Sequence, residues 1–80
     1  MSNAEKLRRA VIEGKSESNI RFEDLRSFLL ELGFVERIRG SHHSFRKDGI
    51  PEKPNLQRDG SKAKGYQVRQ VRGIVSKYGL

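Results

Sequence analysis

The chain has no cysteine among its 80 residues, so neither disulfide bonds nor thiolate metal sites can hold its fold together. It also lacks any apolar run near the roughly 20 residues that cross a membrane, and no signal-peptide pattern opens it. Neither a serine triad nor a glycine-rich phosphate loop is present. These absences favour one small cytoplasmic domain whose stability comes from an ordinary apolar core.

Acidic residues are scarce relative to basic ones, with 10 Asp and Glu against 17 Lys and Arg and a formal net charge of +7. Such a balance favours anionic partners: nucleic acid first, an acidic protein second and a membrane surface third. A solvated basic surface with no specific partner is the plain alternative. The net charge therefore ranks the classes of possible partner but does not identify the partner.

Hydrophobic spacing predicts an N-terminal helix and a stronger second helix. The first lies between a capping box at Ser2 and Glu5 and a stop at Gly14, and residues 15–19 form a polar connector. The second helix ends at Gly33. Its apolar stripe follows the helical repeat at Leu25, Phe28, Leu29 and Leu32.

Three strands and a last helix are predicted next. Residues 34–39 and 43–47 form a hairpin around Gly40-Ser41, in which glycine supplies the positive φ of a type II′ turn. Residues 54–57 form a short third strand, and 61–65 form a basic loop. The last helix covers about 66–78, with Gly79 as its C-terminal cap. Its apolar stripe comprises Val68, Val71, Ile74, Val75 and Tyr78.

The order helix, helix, three antiparallel strands, helix predicts an α+β domain over residues 1–80. Helices cover one face of the sheet and leave the other face open, as in double-stranded-RNA-binding domains. Residues 1–20 then form an N-terminal helical extension and connector, and residues 21–80 form the main domain.

Both histidines of the chain follow the Gly40-Ser41 turn. Because strand side chains alternate, His42 shares the open face with Arg46, whereas His43 shares the helix-covered face with Phe45. We therefore interpret His43 as a structural histidine that packs and forms hydrogen bonds. His42 is the candidate for chemistry.

A histidine among cations suits metal-free RNA cleavage. Imidazole can take the proton of a 2′-hydroxyl as that oxygen attacks the adjacent phosphate, and basic side chains can hold the phosphate. A metal site is disfavoured, since adjacent strand histidines diverge and no carboxylate has helpful spacing. We expect no cofactor. Plain RNA binding explains the residue types at least as well as catalysis does.

The arrangement of motifs resembles the HicA-type toxins of bacterial toxin–antitoxin systems over residues 22–80. The resemblance rests on Leu32-Gly33-Phe34, on Arg37-Ile38-Arg39, on Gly40-Ser41-His42-His43-Ser44-Phe45 and on the closing segment from Tyr66 to Arg72 with Tyr78-Gly79-Leu80. It implies a double-stranded-RNA-binding-like fold, ribosome-independent mRNA cleavage and neutralisation by a HicB-type antitoxin.

The family's catalytic histidine maps onto His42, which would act as general base, and Gly40 belongs to the turn that presents it. The residues expected to bind RNA are Arg37, Arg39, Ser41, Arg46, Lys62 and Lys64. The free protein is expected to be a monomer that forms a hetero-oligomer with its antitoxin.

The chain departs from the family's pattern in the third strand. Many members carry a second histidine after a proline there, whereas Pro54 is followed by Asn55-Leu56-Gln57. A general acid from that strand is therefore absent, and Lys62, Lys64 or Tyr66 are the substitutes to consider. The departure motivates a second hypothesis, a non-catalytic RNA-binding module on the same fold. A third is a protein-interaction domain whose basic face meets an acidic partner.

Overall fold

The computed structural model describes residues 3–13 and 19–80, which form a small α+β domain. The helices are α1 (Asn3–Glu13), α2 (Phe22–Glu31) and α3 (Gly65–Tyr78). The strands are β1 (Val35–Arg39), β2 (His42–Arg46), β3 (Asn55–Leu56), β4 (Arg58–Asp59) and β5 (Lys62–Ala63). The predicted order of three helices and a three-stranded antiparallel sheet is confirmed, and a second, two-stranded sheet is added to it.

The first hairpin has the predicted register. Arg39 pairs with His42, which leaves Gly40 and Ser41 as a two-residue loop. Gly40 has φ +59°, and no non-glycine residue in the described ranges has a positive φ, so Ser41 keeps an ordinary backbone. This is the pattern of a type II′ turn, whose twist matches that of the strands it joins. The β2 strand then pairs with β3 on its other side.

The prediction of a basic loop over residues 61–65 is wrong. Asp59 pairs with Lys62 around a second Gly-Ser turn, at Gly60 and Ser61. The hairpin docks on the start of α2 and the residues before it: Phe22 donates its backbone N–H to the Ser61 carbonyl at 3.1 Å, and Ala63 donates to the Ile20 carbonyl at 2.8 Å. Two-residue strands carry no alternation of their own, so their pairing depends on these contacts from a distant part of the chain.

One apolar core joins the three helices to the sheet. The predicted stripe of α2 is confirmed, with Leu25, Phe28 and Leu29 buried and Leu32 packed against them. On α3 the buried apolar residues are Val68, Val71, Ile74 and Val75. The sheet contributes Phe45 and Leu56, both fully buried, so the helices cover this face.

Helix ends follow the predicted glycines where they are described. Gly33 has φ +95° just after α2, and Gly79 caps α3 with φ +63°. Val11 of α1 is fully buried in the common core. The predicted cap at Ser2, the stop at Gly14 and connector residues 15–18 lie outside the described residues. None of the helices in the described ranges is long and apolar enough to cross a membrane.

Candidate nucleic-acid interface

The open face of the three-stranded sheet carries unpaired cations around His42. Residues directly opposite each other in an antiparallel pair project to the same side, so Arg39 and His42 lie together at the turn end of the hairpin. One step along the strands, Arg37 lies opposite Ser44, and Ser44 in turn lies opposite Asn55. The structure therefore brings together three of the predicted phosphate contacts, Arg37, Arg39 and Arg46, on the face that carries His42.

These side chains are held out in solvent. His42, Arg37, Arg39 and Arg46 are all exposed. Within residues 3–13 and 19–80, none of the four has a side-chain hydrogen bond or an ion pair. No carboxylate in those ranges forms an ion pair with these guanidinium groups, so their charge is available to a polyanion.

The opposite side of the hairpin has a different character, because its carboxylate Glu36 is paired with an arginine of α2. Glu36 accepts two hydrogen bonds from Arg26, from Nε to Oε2 at 2.6 Å and from Nη2 to Oε1 at 2.7 Å. The same carboxylate lies 2.8 Å from Nδ1 of His43. The Glu36 side chain is only 9% exposed and that of His43 only 13%. Such a two-pronged arginine–carboxylate pair combines charge with fixed geometry.

These contacts lower the pKa of Glu36, chiefly through the hydrogen bonds from Arg26 and secondarily through the one from His43, against an opposing effect of burial. The same pairing raises the pKa of Arg26. An ionised carboxylate can only accept hydrogen bonds, so Nδ1 of His43 carries the proton that it shares with Glu36. The imidazole is thereby fixed in one orientation.

Aromatic packing completes the environment of His43. Its ring meets that of Phe22 edge-on, with centroids 4.8 Å apart. The guanidinium of Arg58 stacks on Phe22, with Cζ 4.4 Å from the ring centroid, and also bonds to Glu23. His43 therefore packs and forms hydrogen bonds as the sequence predicted. Its carboxylate partner was not predicted, although alternation does place Glu36 on the face of Phe45.

A chain of amide side chains connects the turn to the start of α3. Gln57, one residue beyond β3, donates from Nε2 to Oγ of Ser41 at 3.4 Å. Its backbone N–H donates to Oε1 of the buried Gln67 at 3.3 Å, and Nε2 of Gln67 donates to the Tyr66 hydroxyl at 3.4 Å. This chain links Tyr66, which is 55% exposed, to the loop that presents His42. It also assigns Ser41 a structural contact that the sequence did not indicate.

The two predicted lysines lie elsewhere. Lys62 belongs to the second sheet, and its ammonium donates to Oδ1 of Asn19 at 3.3 Å. Lys64 precedes α3 as its N-terminal flanking residue and is half-buried. The three-stranded sheet carries neither of them. The backbone positions of both lysines are set by the hairpin β4–β5, which replaces the predicted free loop.

Groups of metal-ligating side chains are absent from the described part of the chain: no three of its His, Asp or Glu residues lie close enough to hold an ion. The chemistry available at the open face is therefore that of one exposed imidazole, three guanidinium groups and the hydroxyls of Ser41 and Ser44. Comparison with protein-family models, with curated proteins and with solved structures gives no match to this chain.

Proposed function

We propose that this protein is an endoribonuclease that cleaves mRNA without a metal ion, with His42 as its general base. The observation that carries the proposal is the pairing of an exposed imidazole with Arg39 directly across the hairpin, with Arg37 and Arg46 on the same face. An imidazole that can accept a proton, beside guanidinium groups that can bind phosphate, supports the proposal.

The proposed reaction is an internal transfer within RNA. His42 takes the proton of a 2′-hydroxyl while that oxygen attacks the adjacent phosphorus, and the bond from phosphorus to the 5′-oxygen breaks. The products are a 2′,3′-cyclic phosphate and a 5′-hydroxyl, which forms when the departing 5′-oxygen takes up a proton. Negative charge grows on the non-bridging oxygens, and Arg39 is placed to stabilise it.

The proton for the leaving oxygen must come from a second group. A glutamine amide cannot supply it, and Gln57 continues the register of β3 toward His42. Tyr66 is the better candidate among the substitutes, because hydrogen bonds through Gln67 and Gln57 connect it to the turn. The ammonium of Lys62 is bonded to Asn19.

The resemblance to HicA-type toxins extends the proposal to biology. The protein would be the toxin of a type II toxin–antitoxin system and would act in the cytoplasm. Its fold would be that of a double-stranded-RNA-binding domain. A HicB-type antitoxin would neutralise it by covering the open face. Because that face carries several cations without ion pairs, the antitoxin surface that covers it would be acidic or polar.

The test is incubation of the purified protein with a long single-stranded RNA in EDTA, beside His42→Ala and His42→Gln. Because His42 is exposed, both variants should fold and bind RNA as the wild type does. We expect cleavage by the wild type alone, with cyclic-phosphate ends. Equal cleavage by a well-folded His42→Ala protein would remove His42 from the mechanism.

A second candidate function is a non-catalytic RNA-binding module. It is favoured by β3 and the residue that follows it, because Asn55 lies opposite Ser44 of the open face, Gln57 continues that register, and neither amide side chain can transfer a proton. In that case the RNA remains intact with both wild type and variant, while a gel shift still reports binding. The two functions are therefore separated by the same experiment.

A further inference from the structure

A second basic site lies at the end of the sheet farthest from the Gly40-Ser41 turn. There an open cavity of about 660 Å³ lies between the end of α2 and the loop that follows β2. Three cationic side chains line it, Arg46, Lys47 and Lys53, together with one acidic residue, Asp48. The cavity is thus lined by a surplus of positive charge.

The ammonium of Lys47 lies beside Gly33. A Cβ atom on Gly33 would lie only 2.8 Å from Nζ of Lys47, so the absent side chain provides the space that this ammonium occupies. Gly33 directly follows the C-terminal end of α2, where a cation is favoured by the helix dipole. Gly33 therefore leaves room for a positive charge at this wall of the cavity.

The other two cations are available for a ligand. Arg46 and Lys53 are exposed and, within the described ranges, neither side chain forms an ion pair or a hydrogen bond. This contrasts with Arg26, Arg58 and Lys77, each of which is paired with a glutamate. Asp48 lies in the same lining without an ion pair to any of the three cations, which leaves them free to bind an anion.

The cavity continues the row of cations that begins at His42. The pair Val35 and Arg46 lies four residues along the strands from the pair Arg39 and His42, which is about 13 Å at the usual rise of a strand. Arg37 lies between the two pairs. Neighbouring phosphates of one nucleic-acid strand are closer together than this, so a phosphate in the cavity would belong to a nucleotide beyond the immediate neighbour of the cleaved one.

We propose that this cavity binds a phosphodiester group of the same single-stranded RNA whose cleavage site lies at His42. The proposal rests on the function proposed above and deepens it: the substrate is an extended strand held at both ends of the sheet. Arg46, Lys47 and Lys53 would recognise the negative charge of one phosphate and would make no contact that depends on the identity of the base.

The test measures binding rather than cleavage, in a His42→Ala background that leaves the RNA intact. Single-stranded oligoribonucleotides of increasing length are titrated against Arg46→Ala/Lys53→Ala. The matched control is Lys6→Ala/Arg9→Ala, which removes the same two residue types from exposed positions on α1. Thermal unfolding of all proteins confirms that the exposed substitutions leave the fold intact.

We expect the dinucleotide, which is too short to reach the cavity from His42, to show the smallest difference in affinity between the two double variants. Beyond the length that reaches the cavity, Arg46→Ala/Lys53→Ala should lose about tenfold in affinity relative to the control. Its dependence of log affinity on log salt should also be shallower by about 1.4, at roughly 0.7 for each lost contact to a single strand. Equal losses for the two double variants at every length would overturn the site and leave only general charge attraction.

The outcomes also separate this site from the proposed function. If the wild type does not cleave RNA but Arg46→Ala/Lys53→Ala loses affinity only for the longer oligonucleotides, the cavity is supported and the catalytic proposal is overturned. If the wild type cleaves RNA but the loss of affinity in the double variant does not depend on RNA length, the catalytic proposal stands and the cavity is overturned as a binding site. If no oligonucleotide binds at any length in low salt, both proposals are overturned.

Discussion

Arg39 lies directly opposite His42 across the first hairpin, and the two side chains leave the same face of the sheet beside the Gly40-Ser41 turn. The turn fixes this relationship, because a two-residue loop allows only one register for the pair. A shift of one residue would carry His42 to the helix-covered face. The geometry of the candidate site is thus determined by the shortest loop in the sheet.

Replacement of Arg39 tests whether this pairing serves the chemistry. Arg39→Ala should lower the rate of RNA cleavage by roughly 100-fold, since one donor to the charge that grows on the phosphate is lost. Arg39→Lys should recover part of the rate, because it keeps the charge without the planar fork. Single-turnover cleavage with saturating protein separates this effect from weaker binding. Full activity of Arg39→Ala would show that the arginine has no part in the reaction.

Glu36→Gln tests the ion pair beneath the hairpin. At neutral pH we expect the free energy of unfolding to fall by about 1–3 kcal/mol, since Arg26 and His43 lose a charged acceptor. Urea denaturation gives the value. The control is Glu31→Gln, an exposed glutamate without an ion pair in the described part of the chain, which should change stability little.

The same variant should alter the dependence of stability on pH. The folded pKa of Glu36 lies below its ordinary value of 4.5, so its stabilisation is complete above 4.5 and is lost as the pH falls through the lower, folded value. Wild type and Glu36→Gln should therefore converge in stability upon acidification. A difference that stays constant from pH 7 to pH 3 would mean that the carboxylate does not owe its effect to ionisation.

Two glycine-to-alanine replacements should change stability in opposite directions. Gly40→Ala forces a left-handed backbone on a residue with a Cβ, because φ is +59° there, and should cost about 1–2 kcal/mol. Gly73→Ala lies within α3 at an exposed position where a Cβ would meet no atom within 4 Å, and should stabilise by about 1 kcal/mol. Chemical denaturation measures both. A stabilising Gly40→Ala would contradict the turn described for the hairpin.

Tyr66→Phe tests the proposed donor of the second proton. Cleavage of RNA should slow by about 100-fold, the usual size of a general-acid effect. A uridine phosphodiester with a nitrophenol leaving group needs no such proton and should react at the wild-type rate. Because Tyr66 is 55% exposed, the variant should fold normally. If both substrates slow equally, the hydroxyl is not the acid.

Val11→Ala tests whether α1 belongs to the common core. The side chain is fully buried, so we expect a loss of about 2 kcal/mol in the free energy of unfolding. Its neighbour Ile12 is 40% exposed, and Ile12→Ala should cost less than about 0.5 kcal/mol. Equal effects of the two substitutions would mean that α1 is bound only loosely.

The elements with a local signal could be predicted from the sequence. The stripe through Leu25 and Leu29 repeats at helical spacing, and alternation around Gly40-Ser41 assigned His42 and His43 to opposite faces. Both assignments depend on residues that are close in the chain. Local periodicity is therefore sufficient to position the candidate site.

Contacts between distant residues could not be predicted in the same way. The second hairpin makes backbone hydrogen bonds from Phe22 to Ser61 and from Ala63 to Ile20, which no pattern of two-residue strands reveals. Alternation gives the face of Glu36 but not its choice of Arg26 among 17 basic residues. The cavity beside Lys53 depends on the path of a loop after β2, which carries no periodicity at all.

The position of β1 at the margin of the sheet has a consequence for solubility. No strand in the described residues pairs with its outer side, and Val35 and Ile38 are more than half exposed along it. Two copies that paired antiparallel through β1 about its centre would bring Arg37 against Arg37, with like charges in contact. The exposed guanidinium groups of this face would therefore oppose self-association through β1, and we expect substitutions that neutralise them to favour aggregation.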